Sequence, residues 1–328
     1  MSQSGCMAVH QGSYIVDSHV DSILRVVDQE SPSTTLYQKS SEGHFDFPRM
    51  MEAHVCLPFM AAYTSHEYKP ERAAHRALVL IEGILRQVEA FAPGLKQILA
   101  REDLELCHSR SQPGFLISLE GGEPYQGDIR LVRAFHRLGV RCVGLTYNER
   151  NQIGDGQLES RTKSGLTEFG VQVVEELNSL GSLIDVSHMS ESTFYDVVNV
   201  TKKPIIATHS NCYALQPHGR NLKDDQLRAV RDSGGVVGIT FVPKFLTEGK
   251  ATVNHVVQHI SHAAEVMGVN HVGIGSDFDG TSELPEGLSD VTRLPALTDA
   301  LLRHGFSEKE VKRILGENYV STMLNVFR

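Results

Sequence analysis

The sequence predicts an α/β fold, a closed (β/α)8 barrel with additional C-terminal helices, and three observations predict it. Eight short runs rich in β-branched and apolar residues alternate with longer amphipathic stretches, the pattern of parallel strands joined by helical crossovers. The length, 328 residues, accommodates one barrel of about 250 residues with additions. No GxGxxG fingerprint follows the first run, which disfavours the open doubly wound sheet. No repeat, low-complexity tract or long linker interrupts the chain, so residues 1–328 read as a single domain.

The predicted strands are 14–19, 53–59, 114–120, 141–146, 182–187, 204–209, 235–241 and 271–277. Helices are predicted at 70–91, 128–138, 167–180, 190–200, 224–233 and 253–267, with Thr167, Ser190 and Asp224 as starting caps. Residues 28–49 are polar and turn-rich and predict a long loop over one end. Residues 295–304 and 307–328 predict helices on the barrel exterior.

Composition narrows the function classes. Hydrophobic residues at 41% and charged residues at 22% describe a globular protein with a full core. A net charge of −9 leaves nothing to neutralise a phosphate backbone or an anionic lipid surface, so neither nucleic acid nor membrane is expected as a partner. The N-terminal segment lacks a basic region followed by an apolar one, and no stretch reaches the ~20 apolar residues of a span. Five scattered cysteines form no CxxC pair, so reduced thiols and a cytoplasmic location are expected. Sixteen histidines are many, the first pointer to metal or proton chemistry.

Their positions matter more than their number. His19 and Asp21 sit at the end of the first predicted strand, Glu120 at the third, His188 after the fifth, His209 at the sixth and Asp277 at the eighth. In a barrel these C-terminal strand ends form one face. His19 and Asp21, two apart on extended chain, point the same way. Three imidazoles with carboxylates suit zinc-type coordination, and one carboxylate can bridge two ions. Any one of these residues alone is more often an ordinary structural one. Their joint placement on one face makes the metal site the better reading.

The blocks VDSHVD (16–21), ISLEGG (117–122), IDVSHMS (184–190), ATHS (207–210), GRN (219–221) and GIGSDFDG (273–280) together resemble the renal-type membrane dipeptidases, a metallopeptidase family of the amidohydrolase superfamily. The likeness runs from the first strand to the last. Its His-x-Asp on strand one, where most amidohydrolases carry His-x-His, makes the motif set specific. The resemblance implies a TIM-type (β/α)8 barrel of the metal-dependent hydrolase kind and hydrolysis of small dipeptides with two Zn2+ ions: His19 and Asp21 on the first, Glu120 bridging, His188 and His209 on the second. It further implies Arg220 on the substrate's C-terminal carboxylate, Asp277 as general base and acid, and a possible homodimer. On that reading a water shared by the two ions serves as nucleophile, and Asp277 passes its proton to the leaving amine.

The block GLTYNERN (144–151) departs from the family. Tyr147 stands where renal-type enzymes carry a histidine that helps stabilise the oxyanion. A phenol can donate one hydrogen bond there but cannot become an imidazolium; equally, Tyr147 packs at the rim and Asn148 or water takes the polar role. Tyr147 therefore keeps open the same centre acting on another small amide, such as an N-acyl amino acid, or on a lactone. A non-catalytic binding protein on an inherited barrel is disfavoured by the complete ligand set together with Arg220 and Asp277. His255, His259 and His262 share one helix face without a carboxylate and read as solvated or interface residues. Cys212 is unneeded as a nucleophile, Asp279 is expected to hold its loop, and Gly273 and Gly275 read as close backbone approach rather than phosphate binding.

Overall fold

A computed structural model describes residues 3–28 and 34–328. Eight parallel strands follow the predicted order: β1 (Ile15–Val20), β2 (Val55–Tyr63), β3 (Gly114–Glu120), β4 (Val140–Gly144), β5 (Leu183–Asp185), β6 (Ile205–Ile206), β7 (Val237–Ile239) and β8 (Val272–Ile274). Each pairs with its sequence neighbour, and β1 pairs with β8 through Asp17 and Ile274. An Ala207–Val237 bridge joins β6 to β7 and completes the barrel. A two-residue strand, Lys96–Gln97, lies outside this ring on β3.

Two apolar clusters separate the faces of the strands. Ile117, Leu119, Ile184, Val237 and Ile274 face the surrounding helices, whereas Val16, Leu57, Phe59, Leu116, Leu183 and Ile206 fill the bore. Strands buried on both faces read as continuous apolar runs, which is why β1 and β3 are so plain in the sequence. Tyr319, from the last helix (Asn318–Val326), enters the same bore cluster. A Cβ at Gly273 would overlap its ring, and one at Gly275 would overlap the Thr208 carbonyl, so close approach accounts for both glycines.

The helices begin where their caps allow. Thr167 and Ser190 accept from the amides of Gly170 and Thr193 and open Glu168–Leu180 and Glu191–Val200. Asp224 is not a cap but the first residue of Asp224–Asp232; Lys223 holds the cap position, where Gln226 Oε1 accepts from its amide. Two further expectations are corrected. The segment 28–49 is not all loop: Asp46 accepts from the Arg49 amide and starts the helix Phe47–Glu52, while residues 29–33 lie outside the described residues. The segment 307–328 is not one helix. It breaks between Glu308–Lys312 and Asn318–Val326 at Gly316, which lies so close to the Tyr14 carbonyl that no Cβ fits. The helices Gln3–Gln11 and Arg101–Arg110 were not anticipated by the apolar pattern.

Candidate metal centre and substrate cavity

The C-terminal strand ends bring all six sequence-predicted acidic and imidazole residues together, each of them buried. His19 Nε2 lies 3.2 Å from Asp21 Oδ2 and 3.6 Å from Glu120 Oε2. The other Glu120 oxygen, Oε1, lies 3.0 Å from His188 Nε2 and 3.6 Å from His209 Nε2. Glu120 thus faces both groups. His19, Glu120 and His209 form one cluster with ligand atoms within 4.8 Å, and His19, Asp21 and Asp277 form another. The second grouping places Asp277 nearer the carboxylate side than a base remote from the ligands would be.

Supporting bonds fix which nitrogen of each imidazole faces inward. Asn148 Oδ1 can only accept, so His188 carries its proton on Nδ1, 2.8 Å away. Thr208 Oγ1 donates to Asp185 Oδ2 at 2.7 Å, so it accepts from His209 Nδ1–H at 2.8 Å. Both Nε2 lone pairs therefore point inward, 2.8 Å apart and beside a carboxylate oxygen. Such a convergence of electron pairs suits a cation, and the buried His19 Nε2 and Asp21 Oδ1 have no hydrogen-bond partner among the described residues. The residues present fit a metal centre.

Electrostatics divide the same way. Burial, then the Arg220 charge, lowers the His188 pKa to about 3, and burial followed by His19 and Arg220 holds His209 well below the ordinary imidazole value. Both are therefore neutral, the form that binds metal. On the other side burial opposes charge on His19, but Asp21 and Glu120 outweigh it and raise its pKa. Burial raises Asp21, with Glu120 and Asp277 adding to the rise, and burial likewise raises Asp277.

Local backbone serves the site. His188 and Asp277 both adopt left-handed φ, 66° and 65°, a conformation that non-glycine residues hold only when their surroundings impose it. At Gly280 any Cβ would press on the carboxylates of Asp277 and Asp21. Asp279 turns away to bind the loop, with Oδ1 accepting from the His44 amide at 2.8 Å and Oδ2 pairing with Arg25 at 3.2 Å and with Ser22.

A cavity of about 380 Å3 opens over these groups, lined also by Tyr63, Tyr147 and Arg220. Arg220 is buried; its Nη2 donates to the His209 carbonyl at 3.0 Å, and its Nε has no partner among the described residues. Tyr147 lies half-buried, its ring stacked 4.2 Å from that of His188 and its phenol hydrogen-bonded to Tyr63.

A family model for the membrane dipeptidases, peptidase family M19, matches residues 4–326. The chain belongs to that family. It is accordingly a hydrolase of the metallopeptidase class acting on dipeptides. A metallopeptidase from Rhodobacter sphaeroides, liganded with a phosphinate mimic of the dipeptide L-Ala-D-Ala, is 30% identical with a TM-score of 0.90, covering 96% of this chain and 99% of that one. A solved dipeptidase AC of the same family is 32% identical with a TM-score of 0.90 over the same shares. An uncharacterized protein from the region 5′ of pqqA in Klebsiella pneumoniae is 38% identical, over 75% of this chain and 94% of its own. No helix among the described residues is long and apolar enough to cross a membrane.

Residues not predicted as supports hold the candidate ligands from behind: Asn148, Thr208, Asp185 and, on β1, Asp17, which accepts from the Ser276 amide at 2.8 Å. A signal existed, since Asp17 and Asp185 are carboxylates inside apolar strands, each just upstream of a histidine. The expectation for His259 is corrected. It is buried, accepts from the Cys212 amide at 3.0 Å and contacts the Leu246 carbonyl at 3.1 Å, while His262 does have a carboxylate, Asp224, at 2.8 Å. Burial raises the Cys212 thiol to about 12, so it is no nucleophile at neutral pH.

Proposed function

We propose that this chain, working as one barrel domain, is a zinc-dependent dipeptidase in which His19 and Asp21 hold one ion, His188 and His209 a second, and Glu120 bridges them. The observation that carries the reading is the convergence of two inward imidazole lone pairs on a carboxylate that also faces His19. Neutral imidazoles with carboxylates are donors of the zinc type. When bound, the metal pair lowers the pKa of water toward neutrality and polarises the scissile carbonyl.

The chain's own residues do the rest. Arg220 orients the substrate by pairing its guanidinium, whose Nε has no partner among the described residues, with the C-terminal carboxylate. Asp277, whose pKa burial raises, takes a proton from the attacking water and returns it to the leaving amine. Tyr147, its ring stacked on His188, supplies one phenolic donor toward the carbonyl oxygen by exchanging its bond to Tyr63 for one to the substrate. That tether, at the position of a family histidine, also favours a second reading in which the same centre cleaves N-acyl amino acids.

A panel of dipeptides, including D-residues at the second position, together with N-acyl amino acids and metal analysis, tests this. Cleavage of Gly- or Ala-containing dipeptides that tracks zinc content toward two per chain supports it. Cleavage persisting after complete metal removal rejects it. The reading includes a cytoplasmic location and, from the family likeness, a homodimer, which light scattering on the purified chain measures.

A further inference from the structure

The cavity carries both signs of charge. Asp21, Glu120, Asp277 and Asp279 line it together with Arg220, His218 and Lys244. These last three surround a single ring. Around Phe245, the His218 ring lies at 4.5 Å, the Arg220 guanidinium at 5.6 Å and the Lys244 ammonium at 5.2 Å. Phe245 is itself fixed: it is buried, and its carbonyl accepts from Asn221 Nδ2 at 2.8 Å. The proximity is electrostatic as well as geometric, since burial, then Lys244 and Arg220, lower the pKa of His218.

Lys244 differs from the other lysine near the site. Lys69 is neutralised by Glu123 at 3.0 Å and Glu149 at 3.4 Å. Lys244 is exposed, and among the described residues it makes no ion pair. Lys244 and Arg220 lie against the same ring, and a cation without a counter-charge there favours a ligand carrying two negative charges.

We propose that Lys244 determines specificity, selecting dipeptides whose C-terminal residue is aspartate or glutamate, with its ammonium on the side-chain carboxylate while Arg220 holds the α-carboxylate. The two carboxylate carbons of such a residue are only about three to four bonds apart, a span suited to two cations gathered around one ring. The inference rests on the proposed role of Arg220 and deepens it.

The test compares Ala-Glu with Ala-Gln, and Ala-Asp with Ala-Asn, on the metal-loaded full-length chain. The wild type should show a kcat/KM about five- to tenfold higher for the acidic member of each pair, falling in 1 M NaCl. Lys244→Met should bring the ratio close to one, and Lys244→Glu should invert it and favour Ala-Lys. Circular dichroism of both variants checks that the fold is retained. A wild-type ratio near one with Ala-Gln readily hydrolysed would overturn this inference and leave the dipeptidase reading standing. No hydrolysis of any dipeptide would overturn both. If Lys244→Met lowered kcat/KM equally for both members of a pair, Lys244 would belong to the α-carboxylate, and the selectivity assigned here would be wrong.

Discussion

The first four strands of the barrel and the last four deliver side chains to one site by different physics. β1 to β4 span five to nine residues each and pair through ladders of four or five residue pairs, with register shifts between β1 and β2 and between β3 and β4. β5 to β8 span only two or three. In that second half polar side chains take over from the ladder. Asp185 accepts from the amides of Ser187 and Thr208, each at 2.9 Å. Asn211 exchanges bonds with both backbone groups of Thr240, at 3.0 and 3.1 Å. Asp17 reaches across from β1 to the Ser276 amide. Buried networks of this kind specify one arrangement when fully satisfied, and they can place residues such as His188 and Asp277 in left-handed backbone that a ladder would not tolerate.

The sharpest separation of chemistry from support is at Asp277, in the second half. Asp277→Asn should lower kcat by about 10²–10⁴-fold while zinc per chain stays close to that of the wild type. Equal loss of metal would make Asp277 a ligand, as its place in the cluster with His19 and Asp21 also allows.

Next come paired variants that set the two halves against each other. Asp185→Ala removes the partner of Thr208, and so of His209 Nδ1, and should weaken zinc affinity about 10–100-fold. Ile117→Ala, in the buried centre of β3, should lower unfolding stability by about 2–5 kcal/mol with zinc affinity retained. Equal loss of zinc affinity in both variants would erase the distinction between the halves. Arg220→Met should raise KM about tenfold for substrates with a free α-carboxylate and leave kcat less affected.

The smallest effect is expected at His259, which ties the loop after β6 to Leu246. Burial lowers its pKa to about 4 from an ordinary 6.5. The unfolded chain therefore takes up a proton first as pH falls, and stability is lost between pH 6.5 and 4, by at most about 3 kcal/mol. In His259→Gln, Tm should depend less steeply on pH across that window. An unchanged slope would assign the acid sensitivity elsewhere.

This division also explains what could be read from the sequence. In the ladder half the strand predicted at 114–120 is Gly114–Glu120, with Glu120 at its tip as expected, while the one predicted at 53–59 runs Val55–Tyr63. In the other half the apolar runs were found but their ends were not. His209 and Asp277 each lie three residues beyond the end of their strand, where Ser187 Oγ accepts from the His209 amide and the His19 carbonyl of β1 accepts from the Asp277 amide. Hydrophobic period carries no trace of such bonds. Nor does it separate His259 from His255 on the same helix; only the position of the Cys212 loop does that. The cation cluster around Phe245 escaped for the same reason, since Arg220 and Lys244 meet only through a ring that neither motif contains.

Tyr319 has a consequence for traffic. Its ring, supplied by a helix outside the strands, lies in the bore with Phe59 5.9 Å away and its hydroxyl 2.6 Å from Ser18 Oγ, one residue before His19. An aromatic thus stoppers the bore beneath His19, while the cavity over the candidate ligands lies at the opposite, C-terminal strand ends. On that geometry reactant and both amino-acid products pass the same rim, so an obstruction there slows entry and exit alike.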